Sequence, residues 1–332
     1  MDARELALAL QKGDISDFLH HSIAIKTDDG TLAAGREAVA AILREHHLLD
    51  GFVPASETFQ ATVAGTNGAG LALKVSLFDG MIGKIIVKRP DPRKRRIRMV
   101  VAYDGTAFFG FQRQAALRSV QAELEAAIAP VNDAPTTVNG ASRTDTGVHA
   151  YAQVVHFDSV REFDAERWRM ILNHALPADL HVVSAAVTHP LFHSRFDVFA
   201  KEYRYVIDTG EFSPLRRNSC WFTGPLDLTV LKREMKKVEG THDFTSFCRG
   251  DKDSKIRTIF EARVESDGST ITLVFCGHGF LHNMIRLLVA SLVAMAQGRL
   301  DSDIEELLAA KNRERTQDLA PAGGLYLVRI DY

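Results

Sequence analysis

Hydrophobic positions along the chain change period several times, and each change predicts an element. In residues 35–47, Val39, Ile42, Leu43 and His46 recur at the three-to-four spacing of an amphipathic helix, and residues 3–11 read as a shorter one. Residues 71–78 and 81–88 are apolar-rich runs either side of Asp79-Gly80, a strong hairpin signal, while Asp28-Asp29-Gly30 is a turn. Residues 1–90 therefore predict a small α+β unit, helices first and strands after. Residues 97–103 predict a strand turned by Asp104-Gly105. Ser119 can cap a helix over 120–129 that Pro130 ends, and Asp164 can cap another through Leu176, stopped by Pro177. Residues 201–207 predict a strand with Tyr203 and Tyr205 on one face. Residues 260–265 and 270–276 predict a hairpin across Asp267-Gly268. A helix opening at Phe280 and ending near Gln297, before Gly298, is apolar almost all round from 287 to 296 except Ser291, and so is expected to be buried.

One polar stretch interrupts this pattern: Gly140-Ala141-Ser142-Arg143-Thr144-Asp145-Thr146-Gly147-Val148-His149-Ala150. It lies between strand-like runs at 136–138 and 153–157, a setting in which a rigid scaffold presents chemistry. A cation, a carboxylate and two hydroxyls fall within four residues. Taken alone they suit a Ser/Thr or Asx turn with a surface ion pair as well as they suit a site.

Composition narrows the classes. Hydrophobic content of 46% and charged content of 25% describe an ordinary soluble globular protein, and the length suits two or three compact units. The N-terminus has no signal-peptide pattern and the longest apolar run is too short to span a bilayer, so a cytoplasmic protein without membrane association is expected. Cys220, Cys248 and Cys276 are too widely spaced for a metal-ligand pattern, and an odd number makes no disulfide framework. His20-His21 and His46-His47 lack a carboxylate at ligand spacing and read as surface or packing residues, so no metal is expected. No glycine-rich nucleotide loop is present, and no cofactor is expected. The net charge of −2 excludes a uniformly basic nucleic-acid binder; RNA binding would need a local patch. After Pro90-Asp91-Pro92, the run Arg93-Lys94-Arg95-Arg96 reads as a solvated linker or as a phosphate-contacting arm.

Arg143-Thr144-Asp145-Thr146-Gly147-Val148-His149-Ala150 meets every specified position of the R-T-D-x-G-V-H-A signature of the TruA family of tRNA pseudouridine synthases, which the chain thus closely resembles. The resemblance runs in order over residues 97–332. It includes Tyr103-Asp104-Gly105 and Gly110-Phe111-Gln112-Arg113-Gln114, with Phe111 where the family usually has Trp. It continues through Tyr203-Arg204-Tyr205, the run Gly240 to Phe247, and Phe280-Leu281-His282-Asn283-Met284-Ile285-Arg286, where His282-Asn283 replaces a frequent His-His. It closes on Pro321-Ala322-Gly323-Gly324-Leu325-Tyr326-Leu327. Residues 1–90 also faintly resemble the NTF2-like (SnoaL-like) fold, through Gly35-Arg36-Glu37 and the late Asp79-Gly80 hairpin.

The resemblance implies an α+β pseudouridine synthase fold: two similar α+β halves, 97–190 and 191–332, with antiparallel sheets around a central cleft. The small N-terminal α+β domain at 1–90 and a basic linker at 91–96 precede them. It implies an isomerase acting on uridines 38, 39 and 40 in the tRNA anticodon stem-loop, as a homodimer and without a cofactor. Asp145 would be catalytic, either attacking C1′ of the ribose or removing the C2′ proton. Arg286 would pair with Asp145 and keep the anion populated against burial. Tyr203 would contact the target base, and Arg143 would contact phosphate or help open the stack, the base being flipped out of a paired stem. Two other readings share the fold: an RNA-binding protein without catalysis, and a chain whose biology is set by residues 1–90 as a sensor or dimerisation module. A hydrolase is disfavoured, because no second acid stands at a helpful spacing from Asp145.

Overall fold

The computed structural model describes residues 1–13, 15–55, 61–250 and 254–332. The first part runs α1 (Ala3–Lys12), β1 (Leu19–Thr27), β2 (Gly30–Ala34), α2 (Arg36–Glu45), β3 (Val53–Pro54), β4 (Thr62–Thr66), β5 (Ala72–Phe78) and β6 (Met81–Lys88). It forms a six-stranded sheet of order β2-β1-β6-β5-β4-β3. Asp2 closes a capping box with Glu5 at the start of α1. Asp79 and Gly80 both take positive φ (49° and 72°) in the two-residue turn between β5 and β6, as such hairpins require. Leu6, Leu10, Ile23, Val39, Leu43, Val63, Leu73 and Ile85 close a core of their own.

The helices do not all precede the strands here: β1 and β2 fall between α1 and α2. The alternation of β1 was hidden by His20-His21, where its pairing with β6 shifts register between Leu19 and Ala24.

The second part runs β7 (Arg95–Tyr103), α3 (Val120–Asn132), β8 (Asn139–Gly140), β9 (His149–Ser159), α4 (Ala165–Ala175), β10 (Leu180–Thr188), β11 (Ala200–Asp208), β12 (Trp221–Phe222), α5 (Leu228–Lys236), β13 (Gly240–Asp243), β14 (Ile256–Asp267), β15 (Thr270–Gly277), α6 (Met284–Ala296), α7 (Ile304–Ala310) and β16 (Leu325–Asp331). These strands form one ten-stranded sheet with the path β10-β7-β9-β16-β11-β15-β14-β13. Its halves join where β9 and β16 pair in parallel, His149 opposite Tyr326 and Ala150 opposite Leu327. The other neighbours along that path pair antiparallel. The join falls immediately after the polar loop, so residues 141–148 leave the sheet at its middle.

Three local expectations are corrected. Residues 136–138 are not a strand; Val138 N–H donates to Glu125 (3.0 Å) and its carbonyl accepts from Gln121 (2.9 Å), so side chains of α3 take the bonds a ladder would need. α3 passes through Pro130 and ends at Asn132, since a proline in the last turn removes one hydrogen bond without breaking those before it. α6 starts at Met284 rather than Phe280, because Asn283 is left-handed (φ 64°) and breaks the helix there. As expected, α6 is buried along nearly its whole length, and Gly298 (φ 66°) follows its end.

Arg95 and Arg96 lie within β7, so part of the basic run belongs to the sheet. Arg96 grips Asp158 with two parallel bonds (2.8 and 2.9 Å) and donates to the Phe192 carbonyl; Arg93 folds back on Asp91. The two parts of the molecule meet through buried polar contacts: Lys74 of β5 pairs with Asp197, and His189 Nε2 donates to the Gly65 carbonyl of β4 (3.0 Å). No helix among the described residues is long and apolar enough to cross a membrane.

Candidate active site

The polar loop is shaped before it is used. Fully buried Gln153 of β9 donates to the Ser142 carbonyl (2.7 Å) and accepts from Ser142 N–H (3.1 Å), replacing a strand partner with an amide side chain. Tyr103, at the end of β7, bonds Thr144 Oγ1 through its hydroxyl (2.7 Å), and burial pushes the phenol up to about 12. Phe111 is buried beneath the loop against Gly140, where any Cβ would collide with its ring. Its aromatic surface therefore serves loop packing. His149 Nδ1 accepts from Gly105 N–H (3.1 Å) with the Asp104 carboxylate 3.2 Å away, and Nε2 bonds the Asn218 carbonyl (2.8 Å), which ties the two halves together behind the loop.

In front of the loop is a cleft of about 660 Å³, walled by residues 141–148, by β11, and by the turn 280–283 with the first turn of α6. Asp145 lies in it, partly buried. Three groups from the far wall converge on its carboxylate: Asn283 Nδ2 donates to Oδ2 (3.3 Å), His282 Nε2 lies 3.5 Å from Oδ1, and Arg286 Nη1 lies 4.0 Å from Oδ2. Arg286 is mostly buried, and its Nε donates to the Ala320 carbonyl (2.7 Å). The arginine thus faces Asp145 with one nitrogen rather than a bidentate fork. Burial pulls its pKa down and the Asp145 charge opposes this, so each charge is the other's compensation.

Tyr203 is brought to the same cleft from β11. It is buried, its hydroxyl bonds Ser142 Oγ (2.6 Å), and its ring stands edge-to-face on Phe280 at 5.2 Å. Burial drives its pKa far above the usual phenol range. Arg143 is exposed on the cleft wall and makes no ion pair with the described residues. All four residues singled out in the sequence therefore line one cavity. Asn283, His282 and Ser142 were not singled out; the signal for Asn283 was an asparagine, the residue that best tolerates left-handed backbone after glycine, at a helix entrance. Among the described residues no His, Cys, Asp and Glu group has the arrangement of a metal site, and the three cysteines are free and buried.

A ten-stranded mixed α+β body thus carries a polar loop that delivers one carboxylate, met by an arginine and an amide from across the cleft. The family described as tRNA pseudouridine synthase matches residues 99–197 and 235–332. The chain is 41% identical over 244 residues to tRNA pseudouridine synthase A of Geobacillus kaustophilus, covering 72% of this chain and 95% of that protein. It is 41% identical over 245 residues to tRNA pseudouridine synthase A of Listeria monocytogenes serovar 1/2a, covering 71% of this chain and 99% of that one. The chain belongs to the tRNA pseudouridine synthase family. The family match begins at residue 99, so the six-stranded unit lies before it.

Proposed function

We propose that this protein isomerises uridine to pseudouridine in the anticodon stem-loop of tRNA, at positions 38, 39 and 40, with Asp145 as its catalytic carboxylate. The observation that carries the reading is the convergence of Arg286, Asn283 and His282 on Asp145 at the wall of a cleft wide enough for a flipped nucleoside. The reaction breaks the C1′–N1 bond and forms C1′–C5. N1 gains a proton and C5 loses its hydrogen to solvent, so nothing is oxidised. Asp145 acts at the ribose, by attack on C1′ or by removing the C2′ proton. Arg286 and Asn283 orient the carboxylate toward the sugar.

Tyr203 contacts the base while it turns. Its ring meets Phe280 in a T-shaped contact and its hydroxyl is held by Ser142, so the loop that carries Asp145 also orients the tyrosine. Arg143 takes phosphate or fills the stack the base leaves.

Residues 1–90 form a separate domain, joined by the basic run 91–96, whose Arg95 and Arg96 already belong to β7, to 97–190 and 191–332, the two halves of the enzyme, which works as a cytoplasmic homodimer. The helix that starts at Gly35-Arg36-Glu37 and the turn at Asp79-Gly80 support an NTF2-like ancestry for the first domain.

The test is tritium release from tRNA labelled at uridine C5, comparing the wild type with Asp145→Asn. Release by the first and not the second is expected. No release by a folded wild type that binds tRNA would overturn the enzymatic reading and leave an RNA-binding protein.

A further inference from the structure

Lys74 sits in β5 of the six-stranded unit and is 5% exposed. A buried ammonium is costly unless its donors are met. Here none of the partners belongs to its own unit: Nζ pairs with Asp197, itself 6% exposed, and donates to the Leu191 carbonyl (3.3 Å). Both partners lie in the segment 189–197, which leads from β10 into β11. The same segment is held a second time, by His189 on the Gly65 carbonyl of β4. Burial keeps His189 below its usual pKa, and the neutral ring donates from Nε2 while Nδ1 accepts from Leu191 N–H (3.2 Å).

The clamp continues toward the cleft. Asp197 Oδ2 accepts from His193 N–H (2.8 Å), and His193 Nδ1 accepts from Arg195 N–H (3.2 Å). On the other side Ser194 Oγ donates to the Asn139 carbonyl (2.8 Å), one residue before Gly140, and Ser194 N–H donates to His156 Nδ1 (3.1 Å). From this turn Arg195 emerges on the wall of the same cleft as Arg143. Neither guanidinium has a carboxylate partner among the described residues, and the charge of Arg143 bears on Arg195. The Phe196 ring is 73% exposed beside them, with the Arg195 guanidinium 5.8 Å from its centroid. Two unneutralised guanidiniums next to an open aromatic face suit a phosphate with its adjoining base.

We propose that the six-stranded unit acts on the cleft through Lys74, which holds the segment 189–197 where Arg195 receives an RNA phosphate beside the target nucleotide. The proposal rests on the RNA substrate argued above. Lys74 is then a positioning residue, and Arg195 a phosphate contact that it sets.

The experiment is a double-mutant cycle on the full chain, read as tRNA affinity against salt, with steady-state kinetics alongside. Arg195→Ala should weaken binding about tenfold and make log K against log salt shallower by about 1. Lys74→Met should weaken binding and raise KM while kcat at saturating tRNA is retained, and Lys74→Arg should recover most of the loss. In the Arg195→Ala background, Lys74→Met should weaken binding no further. Because Lys74→Met strands a buried carboxylate, the neutral pair Lys74→Met with Asp197→Asn is measured beside it and must give the same pattern. Additive losses would overturn the proposal. So would an unchanged salt slope for Arg195→Ala, or a Lys74 variant that loses kcat or folded fraction at unchanged affinity. A wild type that binds tRNA but releases no tritium would overturn the catalytic reading and leave this cycle readable.

Discussion

Asn283 reaches Asp145 from the opposite wall of the cleft, its Nδ2 3.3 Å from Oδ2, while its own backbone is left-handed at φ 64°. The strain and the contact have one origin. A right-handed residue there would continue α6 toward its N-terminal side and aim the side chain elsewhere; the left-handed one stops the helix and turns the amide to the carboxylate. Asn283→Gly keeps the backbone and removes the amide. It should lower kcat about tenfold, near the low end for a hydrogen bond to a charge, with little change in tRNA affinity. Unchanged kcat in a tritium-release assay would show the contact to be idle.

Arg286 is divided between Asp145 and the Ala320 carbonyl. It reaches the two with different nitrogens of one planar group, Nη1 and Nε, and the single nitrogen of a lysine cannot occupy both places. Arg286→Lys should therefore cut kcat by about tenfold to a hundredfold while tRNA binding stays near that of wild type. Equal losses in affinity and kcat would instead assign the arginine to RNA.

Tyr203→Phe separates the ring from its hydroxyl. The lost bond to Ser142 should cost about 1 kcal/mol in urea denaturation, and activity should fall only several-fold because the ring remains. Tyr203→Ala opens a cavity against Phe280 and should cost about 3–5 kcal/mol, with activity lost. Full inactivation by the Phe substitution would show that the hydroxyl itself has a chemical role.

His156 is buried behind the loop, and burial with the nearby Arg96 charge lowers its pKa to about 3. Below the ordinary histidine pKa the unfolded chain takes up a proton that the folded chain refuses. The stability from keeping this ring neutral is thus complete above about pH 6.5 and declines steadily as pH falls toward 3. Urea unfolding at stepped pH should show the decline. His156→Asn, whose amide oxygen can still accept from Ser194 N–H, should flatten it across pH 6.5–5. The same slope in the variant would assign the acid sensitivity to other groups.

Much of the molecule was legible because its causes are local. Turn chemistry placed the hairpin at Asp79-Gly80, side-chain caps started α3 and α4, and an all-round apolar run announced the buried α6. Period two put Tyr203 and Tyr205 on one face, and both are buried. The loop carrying Asp145 was recognisable from contiguous residues, as was the arginine at the entrance of α6. Where the sequence misled, a side chain distant in the chain had taken a backbone bond, as Glu125 does for Val138, or a register shift had hidden an alternation, as in β1.

What only the tertiary structure decided are relationships between segments far apart along the chain. Parallel pairing of β9 with β16 makes two halves one sheet, and nothing in either strand names the other. The meeting of Asp145 with Asn283, and of Lys74 with Asp197, depends on how whole elements pack. A buried lysine looks like any strand lysine until its partner arrives from another part of the molecule. Local geometry follows from neighbours in sequence, whereas the compensation of a buried charge follows from neighbours in space.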